Sequence, residues 1–211
     1  MDLPDDYKKG YKCFLGNKID LSLRPLIPRE ETEYWVSTIL KEIREGSKCL
    51  DLFSGSGCIG LSILKNVENS CCDFGEIEDK FVEQIKINLE GIDENRYKII
   101  KTDIFLNIKG KYDYILANPP YVAEKRMNEV GDDVLEFEPH IALFSGKNGM
   151  DIIKKLINEG FNYLKENGIL VIEHDESQKD EIEKLILKNP YSKYEFNKDQ
   201  FNKYRFVKIY V

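Results

Sequence analysis

The stretch Cys49-Leu50-Asp51-Leu52-Phe53-Ser54-Gly55-Ser56-Gly57-Cys58-Ile59-Gly60 constrains the fold of this chain more than any other. It opens with a short apolar run of the kind that forms a strand buried on both faces. It ends by starting a helical pattern that continues to Leu64. The glycines between the two halves permit the tight backbone turn that joins a strand to a helix. The same alternation recurs downstream. Residues 70–77 read as a second strand. Phe81, Ile85 and Leu89, at i, i+4 and i+8, mark a second helix. Residues 97–100 form a short strand, and Tyr112, Tyr114, Ile115, Leu116 and Ala117 form a buried one. Residues 150–164 and 181–187 read as helices on either side of a strand at 169–172. Residues 204–211 close the chain on an aromatic, alternating stretch. Strands and helices alternating on this scale build a mostly parallel sheet flanked by helices.

The N-terminal part differs. Tyr11 and Phe14 precede a turn at Gly16-Asn17, after which Ile19, Leu21 and Leu23 alternate with polar residues, so residues 11–23 read as a hairpin. Pro25 and Pro28 end that pattern. A helix is expected from Glu30 to about Arg44, with Tyr34, Trp35, Thr38, Ile39 and Ile43 at helical spacing and acidic residues in its first turn. The expected organisation is an extension with a hairpin over residues 1–28 and an α/β domain over residues 29–211. Residues 122–148 look irregular, and a loop of that length in a compact domain is usually functional.

Charge and cysteine usage exclude several classes. The chain carries 31 Lys and Arg against 38 Asp and Glu, a formal net charge of −7. That argues against a duplex-DNA binder, which needs a basic face. The five cysteines form no C-x-x-C pair and read as buried structural thiols. The two histidines, His140 and His174, stand far apart and nothing has zinc-ligand spacing, so no metal is expected. No apolar run reaches the length of a membrane span. The expectation is a cytoplasmic protein.

Open α/β sheets bind ligands outside the carboxyl ends of their strands. Gly55 and Gly57 sit at such an end and allow close backbone approach. Glu76 follows 19 residues after Gly57, at the spacing from which a carboxylate takes ribose hydroxyls. Asp103 lies beyond the third strand and suits the exocyclic amine of an adenine, with Ile104 packing on the ring. There is no Gly-Lys-Ser/Thr, and an acid-lined pocket repels pyrophosphate. An adenosine bearing a cationic group fits better, which points to S-adenosylmethionine rather than NAD or ATP. Asn118-Pro119-Pro120-Tyr121 ends the next strand. Its prolines donate no N–H, so local carbonyls stay free as acceptors, and the tyrosine ring offers a flat face. A planar NH2-bearing substrate suits it, whether an amide or an amino-purine.

With these residues placed, the chain resembles the HemK/PrmC family of release-factor glutamine methyltransferases. Leu26-Ile27-Pro28-Arg29-Glu30-Glu31-Thr32-Glu33 resembles its L-I-P-R-P-E-T-E, and the Asp51–Ile59 stretch its D-L-G-T-G-S-G-C-I. Asn118-Pro119-Pro120-Tyr121 matches its substrate signature. Glu138-Pro139 with Ala142-Leu143-Phe144-Ser145-Gly146 resembles its E-P-x-x-A-L-x-G-G, and Glu173-His174 with Gln178 its E-H-G…Q. Two departures stand out: Phe53 replaces a glycine of the cofactor loop, and Glu30-Glu31 replaces Pro-Glu. Family members also carry an N-terminal helical domain, whereas ten residues precede Tyr11 here.

The resemblance implies a Rossmann-like class I methyltransferase fold, with a seven-stranded mostly parallel sheet and helices on both faces. It implies S-adenosylmethionine held by Phe53, Ser54, Gly55, Ser56, Gly57, Cys58, Glu76, Asp103, Ile104 and Asn118. Catalysis falls to Asn118, Pro119, Pro120 and Tyr121, acting on a glutamine amide. The expected partner is a peptide chain release factor, met by a monomer with no stable nucleic-acid binding. Arg29, Thr32 and Glu33 either shape the entrance or merely start a helix, and Glu138 is a candidate brace for the loop. A nucleic-acid adenine-N6 methyltransferase and a non-catalytic binding module are the rival readings.

Overall fold

The computed structural model describes residues 2–211. A short helix α1 (Asp5–Lys9) leads into a hairpin of β1 (Tyr11–Phe14) and β2 (Asn17–Asp20), followed by α2 (Glu30–Leu40). Then come β3 (Lys48–Leu52), α3 (Cys58–Asn66), β4 (Cys71–Glu76), α4 (Asp79–Asn88), β5 (Tyr97–Lys101) and β6 (Tyr112–Ala117). The remainder is α5 (Asp132–Phe137), α6 (Asp151–Gly160), β7 (Leu164–Glu173), α7 (Lys179–Ile186), β8 (Lys193–Lys198) and β9 (Tyr204–Tyr210). No helix of the described residues is long and apolar enough to cross a membrane.

The main sheet has seven strands in the order β5-β4-β3-β6-β7-β9-β8. All its pairings are parallel except those of β9, which runs antiparallel to both neighbours. The chain steps outward from β3 to β5, then returns to build the other half from β6. The crevice of such a sheet opens at that reversal, between β3 and β6. There Leu52 pairs with Ala117, so the glycine loop and the Asn-Pro-Pro-Tyr segment leave the sheet side by side.

Each face of the sheet carries its own core. On one, Trp35, Val36 and Ile39 of α2, Ile59 and Ile63 of α3 and Ile85 of α4 pack together with Phe14, Ile19 and Leu21 of the hairpin region. On the other, Ile153, Leu156 and Ile157 of α6 and Ile182 and Ile186 of α7 cover Leu50, Ile115, Leu170 and Val207. Gly60 sets the closeness of α3 to the sheet. A Cβ there would stand 2.3 Å from Phe74 Cε1 and 3.0 Å from Cys72 Sγ, both fully buried. Gly60→Ala is expected to cost about 2 kcal/mol through overpacking. The check is urea unfolding: a lower midpoint at unchanged slope is expected, and a midpoint at or above that of the wild type contradicts it.

Several boundaries differ from the sequence reading. The hairpin turns at Leu15-Gly16 rather than Gly16-Asn17, because Phe14 pairs with Asn17 and both turn residues take positive φ. The helix expected to reach Arg44 ends at Leu40, although Ile43 stays buried. The helix expected over 150–164 stops at Gly160. Leu164 already pairs with Tyr112 as the first residue of β7, so its apolar spacing serves a strand. Strand β8 and helix α1 were not expected. In β8, Tyr194 and Phe196 alternate with charged residues at an edge. Residues 122–148 hold α5 and short 3₁₀ turns, and a single bridge from Val122 to Phe144 closes them back on themselves. Cys49, Cys58 and Cys72 are buried as expected, whereas Cys13 is exposed on the hairpin.

Candidate active site

The loop after β3 is shaped by backbone conformations that glycine favours. Gly55 and Gly57 have φ of 54° and 78°, and Phe53 takes 59° despite its side chain. A non-glycine residue held there stores roughly 1 kcal/mol of strain. The Ser54 hydroxyl is consumed inside the loop, donating to Asp51 O at 2.8 Å and Gly75 O at 3.2 Å. Asn88 donates to Ser56 O at 2.9 Å and anchors the far side to α4. Glu76 closes the structure: its Oε2 accepts from Gly55 N–H at 2.8 Å, and its Oε1 from the N–H groups of Ile77 and Glu78. Those bonds position the carboxylate at the cleft. Burial, opposed by the same bonds, pushes it above the ordinary carboxylate range.

Three cavities meet over the carboxyl ends of β3 to β6. The first, about 80 Å³, is lined by Phe53, Ser54, Gly55, Ser56, Cys58 and Glu76, with Asn118 and Pro120 opposite. The second, about 330 Å³, is lined by Asp103, Ile104, Ile77 and Phe144 and shares Phe53, Ile77, Pro120 and Ile141 with the first. The third, about 280 Å³, is walled by Asn118, Pro119, Tyr121, Arg29, Val134 and Glu173. Asn118 thus stands in the walls of both the first and the third. Gly57 is absent from these linings. It turns the loop into α3, where a Cβ would meet Ile85.

The Asn-Pro-Pro-Tyr segment is held from behind by a buried carboxylate. Glu173, at the end of β7, is 1% exposed. Its Oε2 accepts from Thr32 Oγ1 at 2.7 Å and Trp35 Nε1 at 2.6 Å, and its Oε1 from the Tyr121 hydroxyl at 3.0 Å. Asn118 Nδ2 donates to Thr32 Oγ1 at 3.2 Å. Gln178 Nε2 donates to the carbonyls of Tyr121 and Gly149 and pins the segment's far end. No N–H among the described residues takes up the Pro119 carbonyl. Burial raises the Glu173 carboxyl despite its three donors, and burial beside Glu173 raises the Tyr121 phenol well above its ordinary value.

The residues with alternative readings now have definite partners. Glu138 Oε1 pairs with Arg29 at 2.6 Å and its Oε2 accepts from Ile27 N–H, tying residues 26–29 to the segment after β6. Glu33 accepts from Leu15 N–H and braces the hairpin turn. Thr32 does more than begin α2, since its hydroxyl links Asn118 to Glu173. The reading from sequence placed Glu173 just past a buried strand, where it could orient neighbours, but did not foresee that those neighbours are Thr32, Trp35 and Tyr121, nor Ile77 and Ile141 at the cleft. An acid directly after the apolar run Ile169–Ile172, of which Leu170, Val171 and Ile172 are fully buried, was the available signal for Glu173.

Residues 30–138 match the family model described as Methyltransferase small domain. The release factor glutamine methyltransferase of Streptococcus pneumoniae is 33% identical over 187 residues, covering 88% of this chain and 67% of that protein. The chain belongs to the HemK/PrmC family. The ribosomal protein uL3 glutamine methyltransferase of Francisella tularensis is a further relative, 32% identical over 83% of this chain and 57% of its own length. The chain therefore spans about two thirds, or somewhat less, of the curated HemK/PrmC relatives it matches. Among solved structures, the hMettl16 catalytic domain in complex with an RNA hairpin superposes with a TM-score of 0.71 at 16% identity. It covers 92% of this chain and 75% of that one, a likeness of fold. The sheet is the class I methyltransferase sheet.

The cofactor of such folds, S-adenosylmethionine, fits the donor set. Asp51 is fully buried under the loop; its Oδ2 accepts from Gly60 N–H at 2.9 Å and its Oδ1 has no partner. Burial, with the Glu76 charge adding to it, pushes this carboxyl up to about 7. A buried acid with one oxygen unpartnered among the described residues, beside a second acid at the loop, favours a cationic ligand over a phosphate. A folded-state pKa above the unfolded value means that the native chain holds a proton the unfolded chain has lost. Asp51 therefore makes the protein less stable as pH rises from about 4 to about 7. His174, pushed down to about 4 by burial, acts oppositely, and its stabilising effect is lost as pH falls through that value. Asp51→Asn is expected to remove the first dependence and keep the second. Thermal melts from pH 5 to 8 test this, and parallel curves for the two proteins would refute it.

Proposed function

We propose that the chain transfers a methyl group from S-adenosylmethionine to the side-chain amide nitrogen of a protein glutamine. The target proposed is the Gly-Gly-Gln loop of a peptide chain release factor. Residues 29–211 form the catalytic domain, acting as a cytoplasmic monomer. The observation that carries this reading is the position of Asn118, in the wall common to the first and third cavities. A group presented in the third cavity meets Asn118 from one side and whatever the first holds meets it from the other. The names of the relatives, which act on release factors and on uL3, support glutamine as acceptor.

When bound, S-adenosylmethionine supplies an electrophilic methyl on a sulfonium. Gly55 and the Glu76 carboxylate hold the ribose side of the cleft, and Asp103 with Ile104 the adenine side. An amide nitrogen is a poor nucleophile, because its lone pair is delocalised into the carbonyl. Asn118 Oδ1 and the Pro119 carbonyl accept its two hydrogens. They orient the nitrogen and stabilise the positive charge that grows during attack. Pro119 and Pro120 keep those acceptors rigid, and Tyr121, held by Glu173, fixes the amide plane. The N-methylated cation is acidic enough to release its proton without a strong base.

The decisive experiment offers a recombinant release factor, uL3 and nucleic acid side by side with labelled cofactor. Mass spectrometry then locates the methyl group. One methyl on the glutamine of Gly-Gly-Gln is expected, and methylation of an adenine instead would overturn the assignment.

A further inference from the structure

We infer that Thr32 is a positioning residue that, anchored by Glu173, fixes which end of the Asn118 amide faces the substrate. Three proton positions decide the matter. The Trp35 indole can only donate, so Glu173 Oε2, 2.6 Å away, is an acceptor. The Thr32 hydroxyl lies 2.7 Å from the same oxygen, and an ionised carboxylate has no hydrogen to offer. Thr32 therefore spends its single proton on Glu173. Its oxygen is left with lone pairs only, and the Asn118 group 3.2 Å from it must be the NH2. The carbonyl oxygen of Asn118 is then turned away from Thr32, toward the cavity wall that Asn118 forms.

The orientation matters because the two ends of an asparagine amide are similar in shape and opposite in hydrogen bonding. With Oδ1 toward the cavity, Asn118 accepts from a substrate NH2. Reversed, it would present a donor to a donor. The anchor that prevents reversal is buried. Thr32 is 2% exposed, Trp35 0% and Glu173 1%, so water does not compete for the bonds from Thr32 and Trp35 to Glu173. The charge of Arg205 from β9 acts on Glu173 and Tyr121, and Arg205 is held by an ion pair with Asp199 at 3.0 Å. The positive charge helps keep Glu173 an acceptor. The relay runs from Trp35 and Thr32 in α2, through β7, to the end of β6, so it also fixes α2 against the sheet.

This inference rests on the glutamine reading, and its test separates the two. Thr32→Val keeps the shape and removes the acceptor for the Asn118 NH2. Thr32→Ser restores it. With the recombinant release factor as substrate, Thr32→Val is expected to lower kcat about 100-fold, the loss that follows from a misdirected reacting group. KM and the cofactor Kd should stay within about threefold, since the amide is reoriented and the cavity keeps its shape. Thr32→Ser should recover most of the rate. A kcat for Thr32→Val within about threefold of the wild type overturns the inference. A second readout needs no turnover: the Nδ2 proton pair of Asn118 in a ¹H–¹⁵N spectrum of the full chain, assigned by its loss in Asn118→Ala. It should move in Thr32→Val and return in Thr32→Ser, and an unmoved pair overturns the inference. If the wild-type chain methylates no glutamine, the functional reading fails. The spectrum still decides the orientation.

Discussion

Asn118→Ala is expected to lower methyl transfer by about a thousandfold while leaving cofactor binding nearly intact. The size follows from removing a preorganised acceptor aimed at developing charge, for which losses of about 10² to 10³ in kcat are usual. In this chain the substitution also opens part of the wall between the first and third cavities, leaving Leu26 and Ala142, so the acceptor amide gains freedom to miss the methyl group. The fold should survive, because among the described residues the Asn118 side chain makes a single hydrogen bond, to Thr32, and Gln178 still pins the Tyr121 carbonyl. Single-turnover kinetics with saturating cofactor, alongside calorimetric titration of S-adenosylmethionine, separates the two effects. Turnover near that of the wild type would remove Asn118 from the chemistry, and a parallel collapse of cofactor affinity would move it to binding.

Glu76→Ala should act in the opposite way, on the cofactor first. The carboxylate takes three backbone N–H bonds that shape the loop, and its remaining lone pairs face the first cavity. Its removal both loosens Gly55 and deletes the acceptor for ribose hydroxyls. Charged hydrogen bonds of this kind contribute roughly 1.5–3 kcal/mol each, so a rise in Kd of about 100-fold or more is expected. The maximal rate at saturating cofactor should fall much less. A Kd within threefold of the wild type would show that the carboxylate serves the loop alone.

Much of the scaffold could be read from local pattern. The apolar run before Ser54, the i, i+4 spacing from Phe81 and the run into Asn118 each carry a periodicity that survives without knowledge of neighbours. Element ends were less legible. Leu164 continues the apolar spacing of α6 yet pairs with Tyr112, because the helix gives way to a 3₁₀ turn over Phe161–Tyr163 and a strand partner is waiting. Strand β8 was hidden by its charges, which suit an exposed edge. Within the site, most residues that touch the cleft and several that hold them, Thr32, Glu138, Glu173 and Gln178, stood in recognisable motifs, whereas which of them bond to one another was not legible. Glu173 and Thr32 are 141 residues apart, and nothing in either neighbourhood announces the bond between them.

The sequence by itself determined the alternation of strands and helices, the glycine loop at a strand end, the acids at ribose spacing and the rigid acceptor segment. These are local properties, written in residue type and spacing. Only the tertiary structure decided that the loop and the acceptor segment are neighbours. That adjacency comes from the reversal of strand order between β3 and β6, which pairs Leu52 with Ala117. It also decided which way Asn118 points. An amide's orientation depends on where its neighbours' protons go, and those neighbours reach it from α2 and β7 once the core has closed around them.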